Sequence, residues 1–175
     1  SRGLGDVYKR QFAAIANGGI YTKPVFFTQI LDHNGKVLLE NEPETKRVLK
    51  DSTAFLLTDA MAQSMESSRM FASSGVSLNS TSAVANIPGM SNAGKSGTTT
   101  SNNDIWFVGF TPYYTAGIWS GCDDNQKISA IGSSTSYHKK IWKKIMTTIH
   151  EGLADTGFTV PSSVTTAQIC RKSGK

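Results

Sequence analysis

Lys95-Ser96-Gly97-Thr98 is the densest run of chemistry-bearing groups in this chain. On a β-strand, Ser96 and Thr98 stand two apart, so their hydroxyls share a face and can both donate to one carboxylate. Lys95 adds a positive charge that draws in an anion and favours an alkoxide-like nucleophile. Strict alternation sets Lys95 on the opposite face from Ser96, so its side chain reaches a cleft only where this strand borders it. Gly97 leaves room for the backbone of a ligand to lie against the strand. The same residues complete a competing expression, because Gly89 to Ser96 reads G-x-x-x-x-G-K-S. That phosphate loop works only between a buried strand and a helix whose first amides receive the phosphates. Ile87-Pro88 would interrupt the strand, and Gly97 to Asn103 are poor helix formers, so a phosphate cradle is disfavoured.

The remaining reactive side chains carry less. Cys122 and Cys170 have no CxxC or Cys/His cluster around them, which argues against zinc, and they are either two inert thiols or one disulfide. His33, His138 and His150 have no metal-ligand spacing and are expected on solvated surface.

The elements that must position these groups come from a chain of 175 residues, enough for one domain. A folded chain of that size buries roughly 70% of its unfolded surface. The 38% apolar and 18% charged residues, with 16 Gly and 5 Pro, exclude collagen-like and low-complexity classes and wholesale disorder. No stretch approaches the ~18 consecutive apolar residues of a membrane span, and no secretory signal opens the chain. The formal net charge is +5, but Arg2, Lys9 and Arg10 against Asp6 supply two of those charges. Residues 1–10 lack apolar periodicity and resemble translated sequencing-adaptor read-through, so they are expected to be a non-native leader. Basic residues interleaved with aromatics are not seen, and no nucleic-acid partner is expected.

Residues 11–17 predict the end of a helix, stopped by Gly18-Gly19. Thr22 to Leu39 predicts a hairpin around Asn34-Gly35, and Arg47-Val48-Leu49 a further short strand. Asp51 or Ser52 is expected to cap a helix through Met65 with Leu57, Met61 and Met65 on its buried stripe. Residues 66–94, rich in Ser, Asn and Gly, read as a long loop of the kind that often belongs to a site. Three β-rich runs follow: Lys95 to Thr100, Ile105 to Phe110, and Tyr114 to Ser120. Trp106, Phe107, Phe110 and Trp119 read as sheet core, and Asp104 reads as a turn cap, with orientation of the motif strand as the alternative. A last helix is expected from Tyr137 to His150, burying Tyr137, Ile141, Ile145 and Ile149 with Trp142 and Met146. Lys139, Lys140, Lys143 and Lys144 would then cover its solvated side.

In this order the motifs resemble the transpeptidase domain of penicillin-binding proteins, most nearly the bifunctional class A type. Lys95-Ser96-Gly97-Thr98 matches the family's third motif, Lys-Thr/Ser-Gly. Asn103 to Pro112, then Tyr113 to Asp123, resembles the strand pair that follows it. Phe12 to Pro24 resembles the family's helix-to-strand corner, and Ile141 to Met146 its closing helix. The resemblance spans residue 12 to about residue 150 and implies an α+β fold, an antiparallel sheet with helices packed on its faces. This chain would hold an incomplete copy: a leader over 1–10, the C-terminal part of the domain over 11–160, and the start of a tail over 161–175.

The resemblance implies a peptidoglycan D,D-transpeptidase. A serine attacks the D-Ala-D-Ala end of a stem peptide, forms an acyl-enzyme, and passes the acyl group to an amine of a second stem. β-Lactams imitate the dipeptide and acylate the same serine. The implied roles are Lys95 beside the nucleophile, Ser96, Gly97 and Thr98 along the substrate, and the Thr98 backbone N–H as the second oxyanion-hole donor. The implied partners are stem peptides and β-lactams, with no metal or other cofactor. The implied location is the outer face of the bacterial cytoplasmic membrane, anchored by a segment outside these residues.

The family's nucleophile motif, Ser-x-x-Lys, matches only at Ser136-Tyr137-His138-Lys139, downstream of Lys95. Order rejects it, and Ser136 is expected to be a helix N-cap. Ser-x-Asn matches at Ser77-Leu78-Asn79 and Ser101-Asn102-Asn103, both downstream of the Phe12–Pro24 corner that it should precede. Both are read as chance, so the nucleophile is expected outside this chain and the fragment alone is expected to be inactive. The alternative is an inactive or sensor-type penicillin-binding-like module. A serine β-lactamase is disfavoured by the Trp106 to Pro112 run.

Overall fold

Strand β8 (Asp104–Phe110) buries Ile105 and Phe107 on one side and Val108 and Phe110 on the other. A strand apolar on both faces needs cover on both sides of its sheet. The computed structural model describes residues 2–66, 69–71, 76–78, 80–124, 126–128, 136–168 and 170, and shows that arrangement. β8 is the centre of a three-stranded antiparallel sheet between β7 (Ala93–Thr98) and β9 (Thr115–Gly121). On one face Ala93 and Phe110 pack with Phe12 and Ile15 of α1 (Arg2–Ala16) and Met61 of α2 (Asp51–Gln63). On the other, Phe107 packs with Trp142 and Met146 of α3 (Tyr137–Ile149), joined by Met65, Ile87 and Met90. The expected α+β architecture is the one observed.

Two glycines set how closely these layers meet. A Cβ on Gly94 would lie 2.5 Å from the Phe107 ring, and one on Gly109 would lie 2.7 Å from the Trp142 ring. Phe107 and Trp142 meet edge to face with centroids 5.1 Å apart, so two large rings fill the space those side chains would need.

α1 ends where Gly18 and Gly19 both take positive φ, as expected. It begins at Arg2, so helical backbone continues through the segment expected to be a leader. β1 (Ile20–Thr22) pairs with β4 (Thr45–Arg47), and β2 (Gln29–Leu31) with β3 (Val37–Glu40). The hairpin turn is the predicted Asn34-Gly35, where the Asp32 carboxylate accepts the amides of Asn34 and Lys36. Its first strand starts at Gln29 and not at Thr22, because Ile20 to Thr22 are taken by β4.

Several sequence expectations are corrected. The loop expected over 66–94 contains β5 (Arg69–Phe71), β6 (Val76–Leu78) and a 3-10 turn at Ala83–Ala85. Three-residue strands are too short to leave a legible period. In α2, Ala54, Thr58 and Met61 are buried and Leu57 is exposed, while Lys50 rather than Asp51 or Ser52 sits at the N-cap. In α3, the expected core residues Ile141, Ile145 and Ile149 are 45%, 46% and 45% exposed, while His138, Lys139, Trp142 and Met146 are buried. The helix is turned so that its bulkiest side chain, Trp142, enters the recess over Gly109.

His138 and His150 are likewise buried, and only His33 is exposed as expected. His150 Nδ1 donates to the Met146 carbonyl at 2.6 Å, and its Nε2 is hydrogen-bonded to the Thr111 hydroxyl at 2.8 Å. This bond fixes the end of α3 to the β8–β9 connection. Trp106 is half-buried and Trp119 exposed, so only Phe107 and Phe110 of the four aromatics are true core. Cys122 and Cys170 are thiols, the first half-buried and the second exposed. Residues 169 and 171–175 of the expected tail lie outside the described residues.

Replacing Gly109 by Ala forces the Trp142 and Phe107 rings out of place. Overpacking of this kind should destabilise the chain by about 1–3 kcal/mol, read from the midpoint of urea denaturation.

Candidate active site

The motif residues lie on β7, the edge strand of the sheet, paired Lys95↔Val108, Ser96↔Phe107, Gly97↔Trp106 and Thr98↔Ile105. The register sorts the side chains as alternation predicts. Lys95 and Gly97 share the face of Val108 and Trp106, towards α1 and α2. Ser96 and Thr98 share the face of Phe107, towards α3. Lys95 is exposed, and because β7 is an edge, its Nζ curls round to donate to the Ser96 carbonyl at 2.7 Å. A Cβ on Gly97 would meet only the Trp106 Cβ, at 3.5 Å, an ordinary contact. Packing inside the chain therefore does not demand glycine there.

The backbone of the strand has a direction as well. The Thr99 amide donates inward to the Asp104 carbonyl at 3.1 Å. Backbone groups alternate sides along a paired strand, so the N–H of Thr98 points away from β8, as do the amide and carbonyl of Ser96 and of Gly94. Side-chain contacts agree with this phase: Ser64 Oγ reaches the Gly94 carbonyl at 3.2 Å from outside the sheet, and Lys95 reaches that of Ser96. β7 thus offers an outward row of backbone donors and acceptors, with Thr98 at its far end.

The segment before β7 runs along this edge. Ser80 Oγ donates to the Ser64 carbonyl, and Thr81 Oγ1 lies 3.3 Å from Ser96 Oγ. The Thr81 carbonyl accepts Lys139 Nζ at 2.7 Å. Lys139 was expected on the solvated side of α3, yet it is buried here. Burial, and after it the charge of Lys95, holds its pKa below the ordinary lysine value. Beside it in sequence, His138 is buried and its ring lies against the Trp106 backbone. Its pKa is lowered, chiefly by burial and then by Lys139, with the Trp106 backbone pulling weakly the other way.

Other candidates fall elsewhere. Ser136 stands at the N-cap of α3 as expected, though its hydroxyl makes no capping bond, and Lys139 is turned to Thr81. Ser101-Asn102-Asn103 forms the β7–β8 turn, with Asn102 at φ 57°. Ser77 and Leu78 lie on β6, and Asn79 is outside the described residues. Asp104, expected to serve that turn, gives its carboxylate to the Trp119 indole N–H at 2.9 Å. The Thr99 hydroxyl closes the turn instead, accepting the amides of Asn103 and Asp104. The sequence reading missed Thr81, Lys139 and the Asp104–Trp119 link. The Ser, Asn and Gly richness of residues 66–94, read as a loop that often belongs to a site, was the one signal pointing towards Thr81.

The phosphate-loop reading fails on geometry. Gly94 to Ser96 continue into a strand, and no helix N-terminus follows Ser96. The space inside the Ile87 to Asn92 turn is taken by the Asn92 amide, which donates to the carbonyls of Met90 and Ile87 at 2.5 and 3.3 Å.

A sheet covered by helices on both faces is a fold this chain shares with solved penicillin-binding proteins. Penicillin-binding protein 1A from Haemophilus influenzae superposes with a TM-score of 0.74 at 21% identity, covering 95% of this chain and 29% of that one. Penicillin-binding protein A from Mycobacterium tuberculosis, solved as an imipenem acyl-enzyme complex, gives 0.60 at 18% identity over 83% of this chain and 30% of that one. A family model of the penicillin-binding protein transpeptidase domain matches residues 10–165. Penicillin-binding protein 1A of Clostridium botulinum is 33% identical over 100% of this chain and 21% of the relative. The chain belongs to the penicillin-binding protein transpeptidase family, and it spans about a fifth of the length of that curated relative.

If the Gly89 to Ser96 stretch held phosphate, Mg-ATP would raise the melting temperature by mass action. No shift is expected at millimolar Mg-ATP. A clear shift abolished by Lys95→Ala would contradict the strand geometry described here.

Proposed function

We propose that this chain is the part of a peptidoglycan D,D-transpeptidase that carries its substrate-binding edge strand. The observation that carries the reading is the open edge of β7, where the Thr98 N–H faces outward beside the hydroxyls of Ser96 and Thr98. A peptide ending in D-Ala-D-Ala would lie along this edge, its terminal carboxylate on the two hydroxyls and near the Lys95 ammonium. The serine nucleophile comes from sequence outside these residues. Its oxygen adds to the carbonyl of the penultimate D-Ala, and the developing oxyanion takes a hydrogen bond from the Thr98 N–H. The terminal D-Ala leaves with a proton on its nitrogen. An amine of a second stem then takes the acyl group and frees the serine. One oxyanion donor of this kind contributes about 3 kcal/mol to lowering such a barrier.

β-Lactams, which carry a carboxylate beside a strained amide, fit the same edge and would acylate the same serine. A relative in this fold family is described as an imipenem acyl-enzyme, which supports that ligand class. The chemistry belongs on the outer face of the cytoplasmic membrane, where peptidoglycan is cross-linked. Among the described residues no helix is long and apolar enough to cross a membrane, so anchoring would fall to a segment outside them.

In the full-length protein, Lys95→Ala should slow acylation by a labelled penicillin by about tenfold or more, equivalent to ~1.4 kcal/mol per factor of ten. An unchanged rate in a folded variant would remove Lys95 from the mechanism. The chain made alone should form no covalent penicillin adduct, because acylation needs a serine held within reach of its base. Intact mass checks this, and a stoichiometric adduct on Ser136 would reinstate the Ser136–Lys139 pair as the nucleophile motif.

A further inference from the structure

One cation near the motif has no part in the reading above. Lys139 projects from the first turn of α3 on the side facing the sheet, and the residue is only 8% exposed. Its Nζ is held 2.7 Å from the Thr81 carbonyl, and the hydroxyl of that same Thr81 lies 3.3 Å from Ser96 Oγ. One residue therefore joins a buried ammonium to the motif hydroxyl. Ser96, Thr98 and α3 lie on the same face of the sheet, whereas Lys95 approaches from the other face and around the edge. The two ammonium groups are close enough for the Lys95 charge to depress the pKa of Lys139. Among the described residues, no carboxylate is hydrogen-bonded or ion-paired to either of them.

Bringing two cations together in a partly dry place costs energy, and a buried ammonium is stable only when paired or well hydrogen-bonded. One carbonyl is a thin complement for Lys139. An anion seated on the Ser96 and Thr98 hydroxyls would lie between the two charges and relieve both.

We propose that Lys139 is a positioning residue of the acyl-transfer site: it holds Thr81, and through it the Ser96 hydroxyl, and its charge favours a ligand carboxylate at Ser96 and Thr98. The inference rests on the transpeptidase reading and adds a determinant of anionic-ligand preference from the other face of the strand.

The test uses the full-length protein and two probes, a penicillin with its free carboxylate and the same penicillin as its methyl ester. Lys139→Met should reduce the acylation rate constant for the carboxylate probe about tenfold, and leave the slower ester rate within about twofold. Lys139→Arg keeps the charge and should restore most of the rate. Lys139→Gln can still donate to Thr81 but carries no charge, so it should lose the carboxylate preference even if the Met variant fails to fold. Equal losses for the two probes would reduce Lys139 to a packing residue and overturn the proposal, as would unchanged rates for both. Absence of acylation in the unsubstituted protein would instead overturn the transpeptidase reading itself.

Discussion

The ring of Phe107 occupies the space that a side chain on Gly94 would need, and meets the Trp142 ring edge to face across Gly109. Most of the structure depends on that contact. It fixes β7 against β8, because Gly94 must sit opposite Gly109 for both rings to fit. It also sets the rotation of α3, because Trp142 must face the sheet. Gly94 is followed at once by Lys95, so the same packing decides where the motif begins and which backbone groups face outward. The rotation of α3 brings Lys139 inward, where its ammonium meets the Thr81 carbonyl. Core packing of this density tolerates little change of volume, so the edge is held by its interior rather than by surface contacts.

The edge has its own logic. Open strand edges invite pairing with other extended chains, and proteins usually cover or charge them. Here Ser64 closes the row at Gly94, Thr81 attends Ser96, and Lys95 places a charge over the middle. The Thr98 amide faces outward at the far end. That disposition discourages indiscriminate pairing while leaving one end of the edge open.

How much of this was legible in the sequence differs by element. Long apolar strands such as β8, the Gly18-Gly19 stop and the Asn34-Gly35 turn were readable, because local sterics and burial on both faces leave few alternatives. The motif Lys95 to Thr98 was readable for the same reason, as alternation alone sorts its side chains. The face of α3 was not. Ile141, Ile145 and Ile149 form a plausible stripe, but the recess over Gly109 selects Trp142, and that recess exists only after two distant strands pair. The burial of His150 has the same origin, since its partner Thr111 arrives through the sheet. Thr81 and Lys139 escaped notice because their contact joins residues 58 apart in sequence. Asp104 turns to Trp119 because Thr99 supplies the turn hydrogen bonds that its carboxylate could have made.

The central claim is that the outward edge of β7 receives the acyl group and the carboxylate of the ligand. A crystal structure of the full-length protein acylated by a penicillin tests it most directly. The account predicts the acyl carbonyl oxygen at about 2.7–3.1 Å from the Thr98 backbone nitrogen, with the ligand carboxylate on the hydroxyls of Ser96 and Thr98. An acyl group bound away from β7, or one whose carbonyl ignores Thr98 and whose carboxylate ignores Ser96, would contradict it.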